Sequence, residues 1–394
     1  MRTLYCVTVI EQSNATRNVG LKLGILAAGL FVVGTNAFVI AGVLPAIAAS
    51  LHTTTAAVGY SITWYSIVVA VGSPAVSTLL ARMPRATLMA LGLALIAVGT
   101  FLAAAAAGIG LFTAGRIVAA IGGAALVPTA TAAAPTLVAP ERRGRALAAT
   151  GLGFSLASAV GAPFGTFLAD LGGWRLALSV IGALAAVIAV AVAVETRGLP
   201  LGRAVPFAAR FSVLAHPGIL LALLTTLLMV VAFNVVYIFS SDIVAPATGG
   251  NESALAALLL VYGAFGIVGN WLGGRLTDGI GGRLTALVAL ALEAVAFVAL
   301  IALRGGFAAT AVLFALWGVG AYAAIVPVQS RLAAIDPERA GISLSWYSTG
   351  MYVGIALAPV LGAATLSAGV PVTLLAAAAA ALLGLIAFEA AHRR

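Results

Sequence analysis

"PERRG" at residues 140–144 and "PERAG" at residues 337–341 stand 197 positions apart in a chain of 394, half its length. The same shift lays "STLLARMP" (77–84) onto "GRLTDGIG" (274–281), and after a one-residue slip it lays Pro163 of "GAPFG" onto Pro359 of "LAPVLG". Three features agreeing on one register argue for a duplicated unit against chance recurrence of basic turns. Long apolar runs surround each copy. The chain is 63% hydrophobic and 8% charged, too little charge to cover a surface in water. Runs of about 20 apolar residues are long enough to cross the roughly 30 Å hydrocarbon core as helices. The expected class is an all-α polytopic membrane protein built from two related halves.

Twelve spans fit, at 22–48, 57–80, 86–106, 110–137, 146–169, 175–194, 214–240, 253–275, 284–303, 307–330, 341–367 and 371–390. The one long connection, 196–212, carries Arg197, Arg203 and Arg210 and divides the chain into six-helix bundles at 22–195 and 213–394. Repeated bundles of this kind are one of the layouts of secondary transporters. Residues 1–21 have a short apolar stretch followed by polar residues, with no small-residue cleavage site, and read as a cytoplasmic leader.

The net charge of +9 has a topological origin. With these spans, 17 of the 20 basic residues fall on one side, including Arg82 and Arg85 after span 2, Arg142, Arg143 and Arg145 after span 4, and Arg275 and Arg283 around the turn after span 8. Positive charge gathers on the cytoplasmic side of membrane proteins, so both termini are expected there and no nucleic-acid partner is implied. The single cysteine, Cys6, excludes an internal disulfide. Three scattered histidines make no metal site. The only lysine, Lys22, follows no glycine-rich run, and neither H-E-x-x-H nor G-x-S-x-G occurs. No enzyme and no cofactor is expected.

Polar residues inside apolar spans are the functional candidates. Arg116 lies in "GLFTAGRIVAAIGGAALVP"; a buried guanidinium costs on the order of several kcal/mol unless paired, so it should face the bundle interior or snorkel outward. Glu293, in "ALALEAVAFV", falls near the middle of span 9 and needs a proton or a partner, as a coupling group or as a structural acid. Asp170 and Asp242 stand at the outer ends of spans 5 and 7. Asn36, in "VGTNAFVIAGVLP", offers an amide to a substrate or to a neighbouring helix, and Asn234 lies about one repeat later.

These residues resemble the major facilitator superfamily, specifically its drug/proton antiporter branch near the arabinose-efflux and chloramphenicol-resistance permeases. "GNWLGGRLTDGIGGR" (269–283) is similar to the loop signature G-x-L-x-D-x-x-G-x-R, with Gly274, Leu276, Asp278, Gly281 and Arg283 in place. The resemblance implies a conformational latch there. The first-half copy keeps Arg82 and Arg85 but has Ala81 for the aspartate and Pro84 for the second glycine. Gly153, Gly161, Pro163 and Gly165 resemble the antiporter motif of the fifth helix, a glycine face suited to close packing. "LWGVGAYAAIVPVQSRL" (316–332) resembles the family's tenth helix.

The opening of span 1 resembles the family's GT-x-EFVIAGLLP, but the intramembrane glutamate is Ala37 here. Alanine cannot titrate, so that proton site is absent. The eleventh helix departs too, with Tyr347 and Tyr352 where asparagines are usual, either aromatic packing between helices or, where they face the cavity, a surface suited to flat or cationic amphipathic compounds. The resemblance implies a monomeric transporter of the bacterial inner membrane, with spans 1, 4, 7 and 10 around a midplane cavity. Its cavity candidates are Asn36, Phe38, Arg116, Asn234, Tyr237, Trp317, Tyr322, Tyr347 and Tyr352. The expected activity is proton-coupled efflux of a small amphipathic compound. An uncoupled facilitator or uptake carrier is the first alternative, favoured by the loss of the span 1 glutamate and the first-loop aspartate. A non-transporting receptor or scaffold is the second.

Overall fold

The computed structural model describes residues 2–80, 82–139, 143–199 and 211–393. Ala81, residues 140–142 of the first "PERRG" turn, the linker positions Arg203 and Arg210, and Arg394 lie outside the described residues. So do the side chains of Arg2, Cys6, Arg17, Arg143 and Arg145.

The described chain is helical. The first half comprises α1 (Arg2–Ser50), α2 (Thr55–Leu79), α3 (Arg85–Ala104), α4 (Ile109–Ala133) and the long segment Arg143–Glu195. That segment is broken where Gly172 and Gly173 leave helical geometry. Gly173 has φ 79°, a left-handed value that costs glycine nothing. Its arms, 143–171 and 174–195, are α5 and α6. The second half comprises α7 (Pro217–Ile238), the short α8 (Ser240–Thr248), α9 (Glu252–Ile280), α10 (Gly282–Leu303), α11 (Phe307–Ala323), α12 (Ile325–Ile335), α13 (Ala340–Leu366) and α14 (Val370–Arg393). Eleven helices among the described residues are long and apolar enough to cross a membrane. Parting the broken segment at Gly172–Gly173 makes twelve passes, the even number that the charge pattern requires.

Three boundaries differ from the sequence reading, each for a local reason. The tenth pass is two helices, because Pro327 has no N–H to bond the Ala323 carbonyl and the helix restarts after Ala324. The eighth runs to Ile280, so Gly274, Arg275 and Asp278 are helical and the connection to α10 is Gly281 alone, at φ 91°. The first helix begins at Arg2, so the leader is continuous with it. Elsewhere side chains cap the starts. Thr54 accepts from the Ala57 N–H at 3.1 Å, Asn251 from the Ala254 N–H at 2.8 Å, and His216 Nδ1 from the Gly218 N–H at 3.1 Å.

The duplication is visible in the packing. In the first half α1 packs on α5, α3 on α4 and on α6, and α2 on α4; in the second, α7 packs on α13, α10 on α11 and on α14, and α9 on α11. Small residues make these joints close, as Gly99 and Gly115 do between α3 and α4. Hydroxyls inside the helices bond back one turn, as Thr150 does to the Ala146 carbonyl at 2.8 Å and Thr226 to Ala222 at 3.0 Å, which leaves fewer unpaired donors in hydrocarbon. Outside, Val71, Val98, Val187, Val190, Val295 and Ile386 are all at least 60% exposed, an apolar belt that only lipid covers favourably.

The halves meet along two equivalent seams, α2 against α13 and α5 against α9. Both are bonded toward the arginine-poor end. Thr63 donates to the Ala356 carbonyl at 2.8 Å across one, and Ser253 donates to Asp170 at 2.9 Å across the other.

Candidate substrate cavity

Between the halves, the first-half helices contribute Ala37 and Phe38 of α1, Tyr65 and Ser66 of α2 and Phe154 of α5 to one small space. The second half contributes Asn234 and Tyr237 of α7 and Tyr352 of α13. Phe38 is the hinge of the lining, edge-on to Phe154 and to Tyr237 with ring centroids 5.7 Å apart in each case. About 20 Å³ is open to the centre of a water-sized sphere, room for about one water. An organic molecule enters only when the halves part.

Behind the first-half wall lies a polar layer joining four helices. Arg116 of α4 is 1% exposed. Its Nη1 donates to both the main-chain carbonyl of Asn36, at 2.6 Å, and the Asn36 Oδ1, at 2.5 Å. The Asn36 Nδ2 donates to Thr100 Oγ1 at 2.6 Å, and that hydroxyl donates to the Ile96 carbonyl at 2.6 Å. The guanidinium carbon lies 4.5 Å from the centroid of the Tyr65 ring, a cation–π contact. Arg116 therefore turns inward instead of snorkelling. Asn36 is an interhelical amide, engaged on both sides.

Behind the second-half wall lies an aromatic layer. Tyr237 leads to Tyr262 (5.5 Å between centroids), and Tyr262 leans on Trp317 at 4.0 Å. Phe297 and Phe314 close around Trp317, which is fully buried. Glu293 is 0% exposed beside Trp317, and neither of its oxygens is in hydrogen-bond geometry with a partner. Gly320 allows α11 to lie directly on the Glu293 backbone. Between Glu293 and the cavity the Trp317, Tyr262 and Tyr237 rings stand in sequence.

The candidates from sequence are thus distributed unevenly. Phe38, Asn234, Tyr237 and Tyr352 line the space; Asn36, Arg116 and Trp317 stand one layer back. Tyr322 packs edge-on to Tyr262 at 5.9 Å, and Tyr347 is buried beside Gln329. Helices α2, α5 and α13 contribute walls together with α1 and α7. Tyr65, Thr100, Phe154 and Tyr262 were missed by the sequence reading. A signal existed for the first: Ser61, Tyr65 and Ser66 form a buried polar stripe at helical spacing within an apolar span.

The remaining candidates lie outside this centre. Asp170 is exposed, and Asp242 is half-buried in α8, where burial pushes its carboxyl above the ordinary aspartate range. Gly153, Gly161 and Gly165 bring α5 onto Ala27, Thr35 and Val39 of α1, a joint within one half; Pro163 lies in the same stretch of helix. Across the halves the close approach is Gly263 of α9 against Ala159 of α5. At the arginine-rich end Arg283 makes a two-pronged ion pair with Glu389 of α14, which also bonds Arg393. Asp278 is exposed at the end of α9, beyond the half-buried Gly274, and Arg82 is exposed. Arg85 donates to the Ala132 carbonyl at 3.2 Å, stapling α3 to α4.

Comparison with known proteins adds the family. The model of the Major Facilitator Superfamily matches residues 26–334. An uncharacterized MFS-type transporter of Bacillus subtilis, YbcL, is 30% identical over 86% of this chain and 87% of its own. A chloramphenicol efflux pump of Mycobacterium tuberculosis is 30% identical over 88% and 86%. The inner membrane transport protein YdhP of Escherichia coli is 28% identical over 94% and 95%. Among solved structures, an inward-facing, occupied bacterial homologue of the human lysosomal transporter Spinster superposes with a TM-score of 0.74 at 17% identity, covering 94% of this chain and 96% of that one. The nucleoside transporter NupG superposes with a TM-score of 0.76 at 11% identity, covering 95% and 99%. At these identities the structural likenesses speak for the fold alone.

Proposed function

Because the chain belongs to the Major Facilitator Superfamily, and is therefore a transporter and not an enzyme, we propose that it exports small amphipathic organic compounds from the cytoplasm by proton antiport. The cavity carries this reading. It lies between two equivalent halves, is lined by rings from both, and is closed toward the outer end by the bonds Thr63–Ala356 and Asp170–Ser253. Rocking about the α2–α13 and α5–α9 seams would open it to either side in turn. The chloramphenicol pumps among its relatives, 30% identical over 88% of the chain, favour the drug/proton antiporter branch and efflux as the direction. The setting is a bacterial cytoplasmic membrane with both termini inside, and the working unit is a single chain.

Ala37 puts a methyl group on the cavity wall. Coupling is therefore assigned to Glu293, the acid most deeply buried in the second half, linked to the cavity by Trp317, Tyr262 and Tyr237. The same alanine favours a second reading, an uncoupled facilitator. Reconstituted vesicles loaded with chloramphenicol and given an imposed pH gradient separate the two. Antiport predicts uphill movement that follows the gradient and disappears in Glu293→Gln, while chloramphenicol still binds. Flux that ignores the gradient makes the chain a facilitator, and gradient-driven flux that survives Glu293→Gln removes the role of Glu293.

A further inference from the structure

Arg116 uses its donors unevenly. Nη1 serves Asn36 twice, whereas Nε and Nη2, both buried, have no hydrogen-bond partner. Those two nitrogens lie on one edge of the planar guanidinium, where their N–H bonds run parallel. Such an edge matches the two oxygens of a carboxylate, the strongest geometry that arginine offers. Among the described residues the ion pairs are Arg283–Glu389, Arg339–Asp336 and Arg393–Glu389, and all three are remote from this layer. A fixed cation in a membrane interior without a counter-ion is costly. The Tyr65 ring and the Asn36 acceptors meet only part of that cost.

The guanidinium stands one layer behind the cavity wall, separated from the space by the Tyr65 ring on which it stacks. Tyr65 carries the guanidinium on its ring and lines the space; its hydroxyl has no partner that would hold it in place. Ala37 follows Asn36 and presents nothing that competes for the edge. Opposite stand Tyr237 and Tyr352, with Phe38 and Phe154 between, surfaces for a flat ring.

We propose that the Arg116 edge anchors a carboxylate of an aromatic substrate, reached when the halves part and Tyr65 swings aside. The cavity then selects aromatic acids and rejects aromatic cations, because its one fixed charge is positive. This rests on the transport reading for its purpose, but not on direction or coupling.

The test is equilibrium binding to the purified full chain in lipid nanodiscs, by calorimetry without any gradient. The probes are 2-naphthoate, 2-naphthamide and 2-naphthylmethylammonium, one ring system with three head groups. Expected is binding of naphthoate at least tenfold tighter than the amide, and none of the ammonium. Arg116→Lys keeps the charge and removes the edge, and should lose at least tenfold for naphthoate. Ala37→Glu leaves Arg116 in place and supplies an internal carboxylate. It should weaken naphthoate and admit the ammonium, which a fold defect would not do. Equal binding of acid and amide, unchanged affinity in Arg116→Lys, or no binding of naphthoate to the native chain overturns the proposal. Naphthoate binding by a chain that shows no gradient-driven export would overturn the efflux reading and leave this one standing.

Discussion

Substituting Gly263 by alanine tests whether the α5–α9 seam belongs to one conformational state. A Cβ at position 263 would stand 2.6 Å from the Ala159 carbonyl oxygen and closer still to Ala159 Cα. Ordinary contact begins near 3.4 Å, so the two helices must retreat by about 1 Å along the seam. Overpacking of this kind costs about 1–3 kcal/mol. If the seam is formed only with the outer end closed, the whole cost falls on that state and shifts the equilibrium roughly 5–150-fold toward opening. Gly153→Ala is the matched control: its Cβ would strike the Ala27 carbonyl, but α1 and α5 belong to the same half. Spin labels at Tyr60 and Leu357, beside the Thr63–Ala356 bond, in a Cys6→Ser background, report outer opening by electron–electron distance. Gly263→Ala should populate a longer distance, whereas Gly153→Ala should lower the melting temperature without one. Equal distance distributions in the two variants, with similar losses of stability, would make the seam a fixed pivot present in both states and refute the argument.

Two further outcomes follow from burial. Trp317→Ala empties a fully buried site among Tyr262, Phe297 and Phe314, and should cost about 3–5 kcal/mol; Tyr352→Phe, on the cavity wall, should leave the melting temperature in place and change only ligand affinity. The raised carboxyl of Asp242 means that the fold favours its protonated form, so its contribution is fullest below about pH 4 and declines as pH rises through the folded value. Asp242→Asn should therefore melt higher than the native chain at neutral pH, with the difference vanishing near pH 4; a constant difference across that range would assign it to packing.

The parts legible in the sequence are those written in local chemistry. The apolar runs predicted a helical membrane fold, and Gly172–Gly173 and Pro327 mark two of the places where helices break or restart. Faces were not legible, because a membrane helix is apolar toward lipid and toward its neighbours alike, and periodicity no longer separates inside from outside. Partners were not legible either. Arg116 meets Asn36 across 80 positions and Arg283 meets Glu389 across 106, distances over which no spacing rule operates. Asp278, five residues before Arg283 in "TDGIGGR", stays exposed at the end of α9, which continues helical to Ile280, and Arg283 pairs with Glu389 instead.

The repeat also explains why the two walls of the cavity differ. Tyr65 and Tyr262 are separated by the same 197 residues as the two "PER" turns, and each packs on the fourth helix of its own half. In the first half that helix offers Arg116 to the tyrosine ring, and in the second it offers Trp317. Thr100, which completes the polar layer through Asn36, has Phe297 as its counterpart at the same shift, and Phe297 packs on Trp317. One ancestral ring position has thus become the floor of a cation on one side and part of a ring stack on the other. A symmetric scaffold with asymmetric walls orients its ligand: the acceptor group belongs on the first half and the ring on the second. Rocking of the halves then pulls on the two ends of one molecule, so that affinity depends on the seams, whose helices α2, α5 and α13 also carry Tyr65, Phe154 and Tyr352 of the wall.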